Sequence, residues 1–276
     1  MPKLKKCDCL ICRFENPKPT ATAVIIKDQK LLVAKRTLKN EPFYGEWDFL
    51  GGYLQKNESP EEALKRELKE ELGVDSKSTF IGNFTGTSFY REYKFSVMTS
   101  AYLTDITGNL KLNKKENSKL KWVSINRLKT IAFDSNQKIL KYIKKKFVYD
   151  LKRVKKLIHQ LDPSANVNEQ SLYNALLNGH VSKVEKDGKL VGMGWIFPRQ
   201  TLLRKQAVVE DMIVDNRERG KGYGRRILRD LINWAKNSGV EVVELTTNPK
   251  RVAANELYKS EGFWLHETNH YLLELK

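Results

Sequence analysis

Apolar residues recur at every second position or at every third to fourth position through most of the chain, and these periods predict two successions of strands and helices. The first succession has five strands and two helices. We expect the strands at residues 20–26, 31–36, 79–84, 95–103 and 120–123, and the helices at 59–73 and about 134–146. Strands interspersed with helices in this way indicate an α+β module.

The helix at 59–73 has clear signals at both ends. Ser59 is a preferred N-cap residue, Pro60 suits the first helical position, and Glu62 can complete a capping box with Ser59. Gly73 can adopt the left-handed conformation that ends a helix. The sequence therefore delimits this helix more sharply than any other element.

A second succession follows residue 146. It predicts helices at 151–161, 170–178 and 252–260, another helix ending near 237, strands at 181–185, 190–197, 207–214 and 240–246, and a terminal hairpin. We therefore expect an N-terminal tail at residues 1–16 and two α+β domains at 17–146 and 147–276.

The composition suits a folded protein with a strongly basic surface. Of the 276 residues, 40% are hydrophobic and 30% are charged, with a formal net charge of +17. No run approaches the ~18 apolar residues of a membrane span, so we expect a cytoplasmic protein without a membrane partner. A basic field attracts nucleotides, coenzyme A and nucleic acids, but no nucleic-acid-binding motif accompanies the charge, so a nucleic-acid partner is not favoured.

Three cysteines, Cys7, Cys9 and Cys12, lie in the N-terminal tail. Cys9 and Cys12 have the spacing of half a zinc ribbon, but a closed zinc site needs four ligands and no second cysteine pair follows. We expect reduced thiols, and the sequence leaves metal binding by these cysteines open.

Three carboxylates share one face of the helix at 59–73. Glu67, Glu70 and Glu71 stand at i, i+3 and i+4, whereas the leucines of the helix point to the core. Like charges at this spacing cost roughly 0.2–0.5 kcal/mol per pair in an isolated helix, which a cation against them would offset. A solvated acidic face would explain three glutamates alone, but carboxylates that share a substrate's phosphates are also a usual Mg²⁺ arrangement.

The surrounding residues extend this pattern. Gly52, Glu58 and the run 66–74 resemble the Nudix box, Gly-x5-Glu-x7-Arg-Glu-U-x-Glu-Glu-x-Gly-U with U aliphatic, at every specified position. The resemblance covers about residues 17–146 and implies the Nudix α/β/α sandwich. It also implies hydrolysis of a nucleoside diphosphate linked to another moiety, with ADP-ribose or a related nucleotide as the kind of substrate.

The same resemblance implies roles for individual residues. Glu67, Glu70 and Arg66 would be catalytic, with Glu67 or a neighbour activating water and Arg66 orienting Glu58 or Glu62. Mg²⁺ or Mn²⁺ would be held by the Gly52 carbonyl, Glu67, Glu70, Glu71 and Glu116. For Glu116, an exposed glutamate in a lysine-rich loop is the alternative explanation.

A glycine-rich turn follows the predicted strand at 207–214. Residues 215–225 read Asp-Asn-Arg-Glu-Arg-Gly-Lys-Gly-Tyr-Gly-Arg, and a helix comes next. Backbone N–H groups of such a turn, together with the positive end of a helix dipole, can bind a diphosphate. The turn is neither a P-loop nor a dinucleotide fingerprint, because Gly-Lys-Ser/Thr is missing and Arg225 stands at the third glycine position. A tight strand-to-helix connection is the alternative.

The turn resembles a motif of the GNAT acetyltransferases. Arg217, Gly220 and Gly222 match Arg/Gln-x-x-Gly-x-Gly/Ala, and residues 255–263 match the Asn-x-x-Tyr-x-x-x-Gly-Phe motif of that superfamily. The resemblance covers about residues 147–276. It implies a mixed central sheet flanked by helices and acetyl transfer from acetyl-CoA to a primary amine.

Coenzyme binding and acid–base roles follow from this resemblance. Acetyl-CoA would be bound by Met212, Ile213, Val214, Arg217, Arg219, Gly220, Lys221, Gly222, Tyr223, Gly224, Arg225 and Asn255. Tyr258 would protonate the leaving thiolate. Glu210 is our candidate base for the amine, with Asp211 as the fallback, because neighbouring strand residues point to opposite faces.

Three functions remain open at this point. We favour a bifunctional enzyme with nucleotide, acetyl-CoA and amine substrates. The alternatives are a Nudix domain that senses nucleotides and regulates the acetyltransferase, or a Nudix fold used as an RNA-binding module. The sequence leaves open the substrate, the acceptor, the reason for the fusion and the oligomeric state.

Overall fold

The structure is a computed structural model that describes residues 17–37, 43–90, 93–115, 117–273 and 275. The chain divides into two compact units, Met1–Tyr149 and Asp150–Lys276. Each unit has its own hydrophobic core. Within the described ranges, no helix has the length and apolar character needed to cross a membrane.

Unit 1 has eight strands among its described residues, arranged in two sheets. The strands are β1 (Lys18–Val24), β2 (Ile26–Lys27), β3 (Lys30–Arg36), β4 (Trp47–Asp48), β5 (Leu50–Tyr53), β6 (Asp75–Tyr90), β7 (Tyr93–Thr107) and β8 (Asn117–Ser124). One sheet is mixed and has the order β5-β1-β7-β6, with β1 parallel to β7 and the other neighbours antiparallel. In the other sheet, β3 pairs with β2, β4 and β8.

Helix α1 (Pro60–Leu72) forms where the sequence predicts it. The Glu62 N–H donates to the Ser59 hydroxyl and the Ser59 N–H donates to the Glu62 carboxylate, while Gly73 ends the helix with a φ of 69°. The apolar face of α1 joins the core with Leu64, Leu68 and Leu72. This packing holds the polar face of α1 beside β5. Helix α2 (Asp134–Lys146) contacts β6 and β7.

Unit 2 contains one four-stranded sheet and four helices in its described part. The strands are β9 (His180–Lys186), β10 (Lys189–Gln200), β11 (Lys205–Val214) and β12 (Val242–Leu245), and the helices are α3 (Leu151–Leu161), α4 (Glu169–Asn178), α5 (Tyr223–Asn237) and α6 (Val252–Ser260). The sheet order is β12-β11-β10-β9, with β11 and β12 parallel and the other pairs antiparallel. The predicted fold class, two α+β domains with helices against their sheets, is confirmed.

The prediction of a terminal hairpin is wrong. Residues 264–273 form no strand, and Trp264, Leu265 and Tyr271 are mostly exposed. A tight hairpin needs turn residues with positive φ, and none of these ten residues adopts one. The segment therefore has an apolar pattern typical of strands but no tight turn that would reverse the chain.

Leu68 is fully buried between α1 and the sheets, so Leu68→Ala leaves a cavity in unit 1. We expect the free energy of unfolding of this unit to fall by about 2–5 kcal/mol. Lys65→Ala, at an exposed position of the same helix, should change it by less than about 0.5 kcal/mol. Denaturant unfolding measures both variants, and equal losses would contradict the packing.

Candidate functional sites

Arg66 organises the polar face of α1. Its Nε and Nη2 donate to the two carboxylate oxygens of Glu58 at 2.8 and 3.0 Å, which makes a bidentate pair. Its Nη1 donates to Glu67 Oε1 at 2.8 Å and lies 3.4 Å from Glu70 Oε2. One guanidinium therefore holds three carboxylates, and its hydrogen bonds lower the pKa of Glu58. Of the two partners proposed for Arg66, the structure selects Glu58, because Glu62 is engaged at the helix cap.

Gly52 on β5 lies directly against the carboxylate of Glu67. A Cβ atom at Gly52 would lie 2.6 Å from Glu67 Cδ and would overlap Oε1. Because glycine has no Cβ, this carboxylate can approach the β5 backbone without a clash. The structure thus brings together two of the residues predicted to hold a metal ion.

Glu71 and Glu70 differ in their exposure to solvent. Glu71 is buried, and its two carboxylate oxygens accept the Gly51 N–H at 3.2 Å and Asn117 Nδ2 at 3.1 Å. The side chain of Glu70 is 53% exposed. The acidic face therefore runs from a carboxylate fixed by hydrogen bonds in the interior to one that is open to water.

The donor atoms of this face fit a hard divalent cation. The carboxylates of Glu67 and Glu70 and the carbonyl of Gly52 are oxygen ligands, which Mg²⁺ prefers. Within the described part of the chain, no three His, Cys, Asp or Glu side chains lie together in a group that could hold a metal ion. Because Mg²⁺ keeps several of its waters when bound, an open acidic face without a closed protein cage suits it.

A buried carboxyl group on β4 is missing from the sequence-based predictions. Asp48 Oδ1 accepts Asn136 Nδ2 at 2.7 Å and the Phe49 N–H at 2.9 Å, and Arg36 Nη1 lies 3.3 Å from Oδ2. Burial raises the pKa of Asp48 to about 7, although Arg36 and the hydrogen bonds oppose this shift. Asn136 is distant in sequence and belongs to α2, so no local motif could have revealed the pair.

In unit 2, strand β11 continues past the end of its parallel neighbour. The pairing of β11 with β12 covers residues 206–209, whereas β11 continues to Val214. Residues 210–214 therefore have no strand partner on that side in the described part of the chain. Their backbone groups can pair with an extended ligand placed there, as in other cases of strand addition. The stretch includes the predicted coenzyme-binding residues Met212, Ile213 and Val214.

A β-bulge lies in the same stretch of β11. Glu210 pairs with Trp195 and Ile213 pairs with Met193, so two residues of β11 stand opposite one residue of β10. Asp211 lies in the bulge with a φ of 49°. The strand alternation used to choose between Glu210 and Asp211 does not hold across a bulge. Burial raises the pKa of both carboxyl groups, and the charge of Asp211 raises that of Glu210 further.

The glycine-rich turn depends on glycine for its backbone conformation. Gly220 and Gly222 have φ values of 76° and 80°, and a Cβ atom at either position would meet no atom within 4 Å. The left-handed conformation, and not a lack of space, therefore requires glycine here. Gly222 is also the N-cap of α5 and supplies no side-chain cap, which leaves the first N–H groups of this helix able to bind an anion.

The cationic side chains of the turn have partners of their own. Lys221 pairs with Glu218 at 2.8 Å, and Arg225 pairs with Glu261 at 2.8 Å. Arg219 Nε donates to the last carbonyl of β11 at 3.3 Å. Arg217 lies before these residues, in the short 3-10 turn that follows β11. The backbone N–H groups of the turn are thus better placed for phosphates than the paired side chains.

Helix α6 carries Tyr258 and Asn255. It lies against the start of α5, because a Cβ atom built at Gly224 would be 3.3 Å from the Leu257 side chain. Asn255 Nδ2 donates to two carbonyls of the preceding loop at 3.1 and 3.0 Å, so this amide holds the loop. Burial raises the pKa of Tyr258, which therefore keeps its proton at neutral pH.

Known proteins match the two units separately. The NUDIX domain model matches residues 16–145, and the model of the acetyltransferase (GNAT) family matches residues 147–263. The ADP-ribose pyrophosphatase of Methanocaldococcus jannaschii is 30% identical over 129 residues, which covers 46% of this chain and 73% of that protein. The chain belongs to the Nudix family, and its second unit matches the acetyltransferase (GNAT) family.

Two further relatives illustrate the two halves. The CTP pyrophosphohydrolase of Escherichia coli is 33% identical to the Nudix half over 104 residues, or 37% of this chain and 72% of that protein. Glucosamine 6-phosphate N-acetyltransferase 1 of Oryza sativa subsp. japonica is 29% identical to the GNAT half over 106 residues, or 34% of this chain and 64% of that protein. The predicted enzyme classes, hydrolase and acetyltransferase, are confirmed by these matches.

The GNAT turn fits its family motif in two registers. Arg217, Gly220 and Gly222 satisfy the pattern, and so do Arg219, Gly222 and Gly224. Helix α5 begins directly after Gly222, so the second register places its last glycine in the first helical turn, against α6. The sequence-based prediction rests on the first register, whereas the start of the helix favours the second.

Some predicted site residues lie outside the described residues. Glu116 is one of them, so its role as a metal ligand stays a prediction. The same holds for Cys7, Cys9 and Cys12.

The close approach of Glu67 to β5 predicts the effect of a single methyl group. Gly52→Ala should push the Glu67 carboxylate away from the backbone and lower the hydrolytic kcat by about tenfold or more, because misplaced catalytic groups lose rate steeply. Steady-state kinetics on a nucleotide substrate measures this loss, and circular dichroism checks that the variant is folded. Unchanged kcat in a folded variant would contradict the arrangement.

The raised pKa of Asp48 predicts a pH dependence of stability. Because the folded state holds the Asp48 proton up to about pH 7 and the unfolded chain releases it near pH 4, folding stability should fall as pH rises through this window. Asp48→Asn should remove most of this fall, which is on the order of a few kcal/mol. Unfolding midpoints between pH 4.5 and 8 measure it. Asp75→Asn, which alters an exposed carboxylate, is the matched control and should keep the wild-type dependence.

Proposed function

We propose that the Nudix domain hydrolyses a nucleoside diphosphate linked to another moiety, with Mg²⁺ or Mn²⁺, and that the GNAT domain transfers an acetyl group from acetyl-CoA to a primary amine. The observation that carries the hydrolase half is the contact of Glu67 with Gly52 on an acidic face organised by Arg66. The acetyltransferase half rests on the uncapped N-terminus of α5 beside the free side of β11.

The names of the relatives support a nucleotide substrate. Both Nudix relatives described above are named for cleaving a diphosphate of a nucleotide, ADP-ribose in one case and CTP in the other. A third relative, from Proteus vulgaris, is named an 8-oxo-dGTP diphosphatase. These substrates share a phosphoanhydride bond in the 5′ phosphate chain of a nucleoside. We propose that this bond is the one that is cut.

Residues of α1 divide the hydrolytic work in this proposal. A divalent cation, when bound, neutralises phosphate charge and lowers the pKa of an attacking water. Glu67, Glu70 and the Gly52 carbonyl would hold the cation. Glu71, which the sequence predicts as a further ligand, would instead add a fixed negative charge behind them, because both of its oxygens accept hydrogen bonds. Arg66 holds Glu58 in place and must share Glu67 with the cation. A carboxylate of this face would accept the proton of the attacking water.

The GNAT residues suit direct attack of an amine on a thioester. Burial raises the pKa of Glu210, which makes its carboxylate a stronger base toward the attacking amine. The amine forms a C–N bond at the thioester carbon and gives a tetrahedral oxyanion. The C–S bond breaks when this intermediate collapses, and Tyr258 donates its proton to the departing thiolate. Backbone groups of residues 212–214 would stabilise the intermediate oxyanion. The name of the rice relative, an N-acetyltransferase of an amino sugar phosphate, supports an amine as the acceptor.

A nucleotide-sensing Nudix domain is the second candidate, and one observation favours it. Arg66 already occupies Glu67 Oε1, and Gly51 and Asn117 already occupy the two oxygens of Glu71. A domain that keeps these contacts when nucleotide binds would bind its ligand without cutting it. Such a domain could then regulate the acetyltransferase through occupancy alone.

A pair of substitutions tests the two active sites against each other. Glu70→Gln should lower hydrolysis of ADP-ribose, CTP or 8-oxo-dGTP by at least about a hundredfold and leave acetyl transfer unchanged, because it removes one charge from the metal-binding face. Tyr258→Phe should lower acetyl transfer by about 10²–10⁴-fold and leave hydrolysis unchanged, because it removes the general acid. Chromatographic detection of the nucleoside monophosphate formed with Mg²⁺ measures the first reaction. Free thiol release from acetyl-CoA in the presence of a primary amine measures the second.

The outcomes of this test separate the proposals. Loss of one reaction per variant supports two independent enzymes. Nucleotide binding without turnover in the wild type, together with acetylation that responds to the nucleotide, would support the sensor and overturn the hydrolase. Full acetylation by Tyr258→Phe would remove Tyr258 from the mechanism.

A further inference from the structure

Helix α3 contacts the start of the glycine-rich turn through two polar side chains on one of its faces. Arg153, Leu157 and Gln160 stand at i, i+4 and i+7, so they form one stripe along the helix. Leu157 is fully buried in this stripe and fixes α3 against the rest of unit 2. The two polar residues on either side of it both reach the segment that joins β11 to the turn.

Arg153 makes two short contacts at this point. Its Nη2 lies 2.5 Å from Asp215 Oδ2, and its Nε donates to the Leu190 carbonyl at 2.6 Å. Leu190 belongs to β10, so a single guanidinium ties the end of β11 to the neighbouring strand. The side chain of Asp215 is almost fully buried, and that of Arg153 is 22% exposed, so water screens this pair less than it screens a surface pair.

Asp215 uses its second oxygen to shape the turn itself. Asp215 Oδ1 accepts the Arg217 N–H at 3.1 Å and so caps the 3-10 turn that precedes the glycines. This backbone hydrogen bond, together with the contact from Arg153, lowers the pKa of Asp215 and keeps it ionised. Gln160 Oε1 accepts the Asn216 N–H at 2.9 Å, which holds the next residue as well.

We propose that Arg153 is a positioning residue for the coenzyme: through Asp215 it fixes the backbone from which the turn presents its N–H groups to the coenzyme A diphosphate. This inference rests on the acetyltransferase proposed above. The hydrogen bonds of Arg153 within the described chain go to the Asp215 carboxylate and to a strand carbonyl, and not to the glycines of the turn. Its effect must therefore pass through the conformation of residues 215–217.

A positioning role predicts a specific kinetic pattern. Arg153→Met leaves the Asp215 carboxylate without its guanidinium, so the turn loses its fixed starting point. Binding of the diphosphate weakens equally in the ground state and in the transition state, so the KM for acetyl-CoA should rise by about tenfold or more while kcat stays within about threefold. Arg153→Lys keeps a positive charge beside Asp215, but lysine lacks the forked guanidinium that also donates to the β10 carbonyl. This variant should therefore recover part of the lost coenzyme affinity.

A double-mutant cycle isolates the pair. Asp215→Asn keeps an oxygen for the Arg217 N–H but removes the charge that Arg153 binds. If the pair acts as one unit, Arg153→Met combined with Asp215→Asn should weaken coenzyme binding no more than the worse of the single variants. Arg199→Met is the matched control, because Arg199 also pairs with a carboxylate, Glu244, within unit 2. It should leave coenzyme binding unchanged.

Calorimetric titration with coenzyme A alone measures affinity for all variants of the full chain, and thiol release from acetyl-CoA gives kcat and KM. The cycle is read only for variants with a wild-type far-ultraviolet spectrum, and Arg153→Lys provides a milder change if the methionine variant does not fold. Wild-type affinity in folded Arg153→Met or Arg153→Lys, or additive losses in the cycle, would overturn this inference and leave the acetyltransferase proposal standing. If the wild type binds no coenzyme A, the acetyltransferase proposal fails and this inference fails with it.

Discussion

The distance between helix α1 and strand β5 is the constraint on which the Nudix site depends. The apolar side of α1 sets this distance, because Leu64 and Leu68 are fully buried in the core and cannot move outward without exposing apolar surface. At that distance a side chain on β5 would collide with Glu67, and Gly52 removes the collision. The position of the acidic face thus follows from core packing, and its close approach to β5 follows from one missing Cβ atom.

The carboxylates on this face outnumber the guanidinium that joins them. Glu58, Glu67 and Glu70 share one guanidinium, that of Arg66. One positive charge against three carboxylates leaves a net negative charge at the surface of α1. Glu71 adds another carboxylate, which accepts hydrogen bonds from the Gly51 N–H and from Asn117. A divalent cation suits a group of carboxylate oxygens of this kind, because a single such ion balances two negative charges at once.

Local signals in the sequence predicted the best-defined parts of this protein. The capping box of Ser59 and Glu62 and the stop at Gly73 depend on neighbours within four residues, so they can be read from the chain directly. The pair of Asp48 and Asn136 could not, because it joins β4 to α2 across the fold.

The bulge at Asp211 escaped prediction for a different reason. A period-2 pattern counts residues along one strand, whereas a bulge depends on how many residues the partner strand places opposite. The terminal segment carries a strand-like pattern but has no turn that would fold it into a hairpin. Pattern alone therefore identifies elements well, and it fails where a second element decides the outcome.

The two proposed sites would meet a phosphate group with opposite charges. Unit 1 presents carboxylates, which repel a diphosphate unless a cation lies between them. Unit 2 presents the uncapped N–H groups of α5, which attract a diphosphate directly. Nucleotide binding in unit 1 should therefore depend strongly on divalent cations. Coenzyme binding in unit 2 should depend instead on the backbone conformation of residues 215–222, which Asp215 and Gly222 determine.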